Sequence, residues 1–201
     1  MSETRRPAAI KSGERGNSVL ESALIFLPMF ALVMGIIDVS LAIWIQSTFT
    51  SATRQASRFA VTYSSSFNGN SCAASQASCI AQVVQYNASG FLNGTKASYI
   101  TVDYYTANDL TNPAESCNNG TCTVNPNGAS TASLPQTLSN GTVVSYANQP
   151  GNVVEVMVAS YPWNWLVPLP NFSAGKGITL SAESFDVLGA LPVGVTTPPS
   201  P

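Results

Sequence analysis

A chain of 201 residues without a histidine lacks the usual general base and the commonest zinc ligand. Any chemistry must come from carboxylates, cysteines or cleavage of the backbone. Glu155, Glu183 and Asp186 fall in segments that read as strands and could adjoin, but sequence spacing does not set the carboxylate separation that glycoside hydrolysis requires. Gly175 and Lys176 lack the upstream glycine and the following Ser or Thr of a phosphate-binding loop, and no GxSxG or HExxH occurs. No catalytic residue, bound metal or cofactor is expected.

Cysteine is the next candidate. Cys72 and Cys79, then Cys117 and Cys122, form two local pairs. Four cysteines allow three pairings, and the local one closes the shortest loops, so disulfides Cys72–Cys79 and Cys117–Cys122 are the expected arrangement. Zinc competes for four cysteines, but neither spacing is the tight CxxC of a zinc knuckle. An oxidising exterior favours disulfides.

Two acids are anomalous by position. Glu21 and Asp38 are the only charged residues across 19–45, a run that as a helix would extend roughly 40 Å. That exceeds the ~30 Å hydrocarbon core of a bilayer, and a core helix of a soluble domain is rarely so apolar on every face. A membrane-spanning helix is therefore predicted. A carboxylate at membrane depth costs about 3 kcal/mol unless neutralised or paired. Glu21 stands five residues after Gly16. If the chain is cut after Gly16, Asn17 carries a new α-amino cation, which could pair with Glu21 of a neighbouring subunit.

Gly16, four residues and Glu21 ahead of an apolar helix resemble the type IV prepilin processing signal. Residues 15–42, followed by TSATRQASRFAV at 50–61, resemble the TadE-like pseudopilins of tight-adherence (Flp) pilus systems. The later VVEVMVASYPWNW and GITLSAESF segments are similar to the C-terminal strands of that family. Ser22 stands where processed members commonly carry an aromatic residue. The resemblance implies trimming after Gly16 by a prepilin peptidase and a structural, non-enzymatic role as a minor pilus subunit. It implies as partners other pilins or pseudopilins and the inner-membrane assembly platform.

Charge sets the expected orientation. Charged residues make up only 9% of the chain, well below the ~25% of typical soluble domains, and the net charge is -2. Residues 1–16 hold Arg5, Arg6, Lys11 and Arg15 against Glu3 and Glu14, a balance of +2; beyond Ile45 four bases face six acids. Positive charge on the short N-terminal flank favours that flank in the cytoplasm, with the C-terminal domain across the inner membrane in a single pass. Nothing is basic enough to bind nucleic acid. A secretory signal peptide is the rival for the first forty residues, but its apolar core runs only ~7–15 residues, shorter than the uncharged run 22–37.

Elements to position these groups follow from periodicity. Ala31 and Gly35 form a small-residue notch in the span, and Pro28 should bend it. After Ile45, Phe49, Ala52, Ala56, Phe59 or Ala60, and Tyr63 recur at helical steps, with Arg54 and Arg58 on a polar face; serines from Ser64 and Gly69 should end this helix. A second helix is predicted within 73–92, and strands at 99–106, 142–146, 153–161 and 178–187. Residues 107–140 read as a long loop, and Trp163 and Trp165 sit in a proline-bounded loop as a hydrophobic lid.

The expected class is α+β: a long N-terminal transmembrane and amphipathic helix, a second short helix and a small, mostly antiparallel sheet. The expected layout is leader 1–16, transmembrane helix 17–45, amphipathic continuation 46–66, extracytoplasmic domain 67–190 and a Pro-rich tail 191–201. The expected role is assembly of an adhesive Flp/Tad pilus. The alternative is a secreted or anchored envelope protein that binds or hydrolyses glycans through the acids and tryptophans above.

Overall fold

A computed structural model describes residues 14–64, 66–71, 76–107, 109–118, 121–124, 136–137, 143–144, 151–165 and 177–189. Cys72, the basic leader before Glu14, all of residues 166–176 and the tail lie outside them.

Helix α1 spans Glu14–Val61 and is continuous through Pro28. Among the described residues it is one helix long and apolar enough to cross a membrane, and this is compatible with a membrane anchor. The chain forms two compact units; the first contains α1 as far as Leu41 and the second begins at Ala42. In the second unit the apolar stripe expected beyond Ile45 faces the core: Phe49, Ala52, Ala56, Ala60 and Tyr63 are buried, while Phe59 is half-buried. The stripe starts earlier than the periodicity suggested. Ala42 and Ile45, placed in the span by the sequence, are already buried in this core.

Neither a serine nor Gly69 ends α1. Tyr63 does so by adopting φ 52, the left-handed conformation that stops a helix, and its hydroxyl donates to the carbonyl of Gly189 at 2.7 Å. The backbone N–H groups of Thr62 and Tyr63 donate to Phe59 and Ala60 (3.0 and 3.2 Å), tightening the last turn. The buried amide of Gln76 donates to the Ala60 carbonyl at 2.8 Å, satisfying another terminal group.

A hairpin of β1 (Ser66–Phe67) and β2 (Asn70–Ser71) follows. Its turn is Asn68-Gly69 with both φ positive (51 and 78), the pairing that a two-residue turn needs and that Asn-Gly supplies cheaply. Helix α2 (Gln76–Asn87) buries Ala77, Cys79, Ile80, Val83 and Val84 on one face. A 3-10 helix (Gly94–Tyr99) leads into β3 (Ile100–Tyr105).

Residues 107–140 are not one loop. They contain β4 (Glu115–Asn118) and β5 (Thr121–Val124), an antiparallel hairpin in which Cys117 opposes Cys122 and is disulfide-bonded to it. Four-residue polar strands are too short for alternation to show, which is why the sequence read as loop. Closing so short a loop contributes about 2 kcal/mol on the chain-entropy model. Cys79 is also disulfide-bonded.

Strands β6 (Gln136–Thr137) and β7 (Val143–Val144) pair with each other, and among the described residues the strand expected at 142–146 is present only as Val143–Val144, apart from the main sheet. Strands β8 (Val153–Trp163) and β9 (Ile178–Val187) complete an antiparallel five-stranded sheet of order β5-β4-β3-β8-β9. Trp163 closes β8 and packs against the core, so it belongs to a strand and not to the expected loop.

Alternation fixes the two faces of the sheet. Ile100, Val102 and Tyr104 on β3, with Val154, Val156 and Val158 on β8, are buried in the core shared with α1 and α2. A bulge between Val158 and Tyr161, with Ser160 at φ 53, inserts one residue and turns Tyr161 to the same face. There its ring meets Phe49 edge-on at 5.1 Å and Tyr99 at 5.7 Å. Ser57 and Ser184 share a hydrogen bond of 3.0 Å, and Gln46 donates to the Ser181 carbonyl, fastening α1 to β9.

Candidate functional site

Three groups of side chains carry charge or reactivity: the acids of α1, the arginine face of the same helix, and the acids of the sheet. The first half of α1 presents an apolar surface nearly all round, with Leu20, Leu24, Phe26, Leu27, Met29 and Phe30 among its exposed residues. Such a surface is unstable in water and stable in lipid or among similar helices. Glu21 is exposed within it. Gly16 and Asn17 lie in the first turn of the helix, two and three residues after its start at Glu14.

Asp38 differs from Glu21 in its surroundings. It is only 1% exposed, whereas its neighbours Ile37 and Val39 are exposed. It sits on the line of Ala42, Ile45, Phe49 and Ala52, successive steps of three or four residues. The spacing was present in the sequence, but a carboxylate was not counted as part of a core stripe.

Arg54 and Arg58 are exposed one turn apart on the side of α1 away from the core. They line an open hollow of about 550 Å³ with Ile43, Gln46, Ser47 and Thr50. The hollow is open to solvent, and its lining mixes polar groups with the aliphatic parts of the side chains.

Register sorts the sheet acids that sequence could only place on strands. Glu155 opposes Phe185 and Met157 opposes Glu183, so Glu155 and Glu183 share the outer face; Asp186 opposes the buried Val154 and shares the other. The trio is therefore split. Asp103, which the sequence reading passed over, opposes Glu155 directly. The two are 8% and 6% exposed, and the Tyr105 hydroxyl donates to Glu155 Oε2 at 2.6 Å.

Burial pushes the Asp103 carboxyl above its ordinary range, partly offset by a hydrogen bond from Ser116. Burial likewise raises Glu155; Tyr105 offsets this, and the charges of Asp103 and Glu183 add to it. The Tyr105 phenol is raised by burial and by Glu155. The sheet's other buried acid, Glu115, is on the core face beside Cys117 and Cys122, and it raises the already buried Tyr104. Both sulfurs of that group are consumed in the disulfide and are not thiolate ligands for a metal.

A pH dependence follows. Asp103 and Glu155 hold protons more tightly folded than unfolded, so between the unfolded values of about 4 and their raised folded values the native state binds more protons. Stability should then fall as pH rises through that window and recover on acidification. Exposed Asp109, lowered by hydrogen bonds from Thr111 and Asn112, works weakly the other way. Thermal unfolding is expected at higher temperature near pH 5 than near pH 7.5, and Asp103→Asn should flatten the difference. A Tm that drops steadily on acidification would contradict this assignment.

The exposed apolar run, the acid five residues beyond Gly16 and the continuation into a domain-packed half all lie on one unbroken helix. Residues 16–58 match the family of TadE-like proteins. The match begins at Gly16 and ends at Arg58, so it holds Glu21, Asp38 and both arginines of the polar face. No curated protein and no solved structure matches the chain. The TadE-like segment is thus the helix itself, and the sheet and its disulfide lie outside the match.

Proposed function

We propose that this protein is a membrane-anchored minor pseudopilin that takes part in building an adhesive Flp/Tad pilus. The observation that carries the reading is the division of labour along α1 within the TadE-like segment. Its first half exposes apolar side chains, and its second half is the spine of a folded domain. A 23-residue stretch from Val19 to Leu41 rises about 34 Å, enough to cross a bilayer with slight tilt. The basic leader keeps the N-terminus cytoplasmic, and the disulfide-bonded sheet faces outward, where disulfides persist.

A prepilin peptidase cuts after Gly16 and makes Asn17 the first residue. The new α-amino group and Glu21 of adjacent subunits then neutralise each other in lipid. Arg54 and Arg58 face lipid phosphates or the acids of other pilins and of the assembly platform. The role is structural and uses no cofactor.

N-terminal sequencing of protein taken from membranes tests the reading. Asn17 should be found as the first residue when a prepilin peptidase is present, and the leader should be retained when it is absent. A mature chain that begins beyond Leu41 and is recovered free of membranes would overturn it.

A further inference from the structure

The pilus reading makes no use of the aromatic side chains between α1, α2 and the β1–β2 hairpin. Phe67 is held at the end of the Asn68-Gly69 turn and meets two rings edge-on, Phe59 of α1 at 5.9 Å and Tyr86 of α2 at 5.6 Å. Tyr86 is 69% exposed, an unusual placement for a large ring, and meets Phe67 edge-on. The Phe67–Tyr86 pair forms a ridge between two open surface hollows of about 440 and 400 Å³, both bordered by Phe67, Asn68 and Tyr86.

Primary amides share the walls with aromatic and aliphatic side chains. Asn68 borders both hollows, Gln55 and Asn87 stand on one side beside Phe59 and Val83, and Gln82, Gln85 and Asn93 stand on the other. Arg58 supplies one cation at the edge of the larger hollow, and no carboxylate is among the described lining residues. Asn87 already donates its amide hydrogen to the Val83 carbonyl at 2.8 Å, which leaves its oxygen turned to accept.

We propose that this ridge and its two hollows bind a neutral saccharide, with one sugar unit on each side of the Phe67–Tyr86 pair. The C–H face of a pyranose carries partial positive charge and packs on the negative face of an aromatic ring. Vicinal hydroxyls, each donor and acceptor, match planar amides that offer one of each about the same distance apart. A nucleic acid would require more than one cation here, and a lipid tail would not be met by six amides. The site depends only on the folded domain, so it stands apart from processing at Gly16 and from entry into a fibre.

The test uses the full chain in a detergent without a sugar headgroup, titrated calorimetrically with cellotetraose, maltotetraose and chitotetraose. At least one should bind, and Tyr86→Ala should weaken it by about tenfold or more, the loss of one ring contact with its neighbours. Tyr86→Phe, which keeps the ring, should retain binding, while Asn93→Ala should weaken it severalfold. The exposed positions of Tyr86 and Asn93 predict unchanged melting temperatures for Tyr86→Phe and Asn93→Ala, while Tyr86→Ala should stay cooperatively folded and lose only its one ring contact to Phe67. Failure of all three tetrasaccharides to bind at millimolar concentration overturns the proposal, as does binding that is indifferent to Tyr86→Ala in a protein that melts normally.

Discussion

Phe49→Ala is expected to destabilise the folded domain by about 3–5 kcal/mol. The ring is fully buried and meets Tyr161 at 5.1 Å and Phe91 at 6.4 Å, both edge-on. Each such pair contributes roughly 0.5–1.5 kcal/mol beyond area burial, and the cavity left behind adds to the loss. Tyr161 would suffer most, because the bulge at Ser160 exists to bring it to this face. Lys96 also depends on it, donating to the Tyr161 hydroxyl at 3.1 Å. A domain stability of ~5–15 kcal/mol makes the change a large fraction of the whole. Thermal unfolding and protease sensitivity of the intact chain in detergent would measure it. Phe30→Ala is the control: Phe30 is exposed and stacks on Phe26 within the first half of α1, so the domain's melting should not move. Equal melting for Phe49→Ala and wild type would mean that α1 is not the spine of the domain.

Glu21→Ala has the opposite signature. Glu21 lies in the exposed apolar half of α1, far along the helix from the domain core, so the domain should melt as before and the chain should remain in the membrane after alkaline extraction. What should disappear is association with other pilins. Removing one partner of a desolvated charge pair costs ~2–5 kcal/mol, which is at least tenfold in affinity. Cross-linking or co-purification from membranes reads that loss directly. Undiminished association would remove Glu21 from the proposed contact and leave the small residues of the span, such as Ala31 and Gly35, to carry it.

Much of this molecule was legible because its elements obey one period each. The α1 stripe through Phe49, Ala52, Ala56 and Tyr63 keeps helical steps, β3 alternates over its whole length, and β9 runs over the predicted residues 178–187. Elements were missed where the period is interrupted or too short to register. The bulge at Ser160 breaks alternation in β8 and carries the strand on to Trp163, and β4 and β5 are only four residues each, mostly polar. Asp38 lies on the buried stripe, a placement that a count of apolar residues alone does not show. Asp103 and Glu155 show the limit from the other side. Each strand assigns its acid to a face, but only the register between β3 and β8 sets them opposite each other. Asn68-Gly69 was legible and not used: between Phe67 and Asn70 it is a hairpin signal in its own right.

On the inner side of the helical spine, Ala42, Ala52, Ala56 and Ala60 leave room for little more than a methyl group each. Leucine or phenylalanine at any of them would wedge helix and sheet apart, at a cost of about 1–3 kcal/mol. Over evolutionary time that seam should accept few changes on the helix and absorb them on the strand side, at Val154, Val156 and Leu180, where branched side chains can trade volume among themselves.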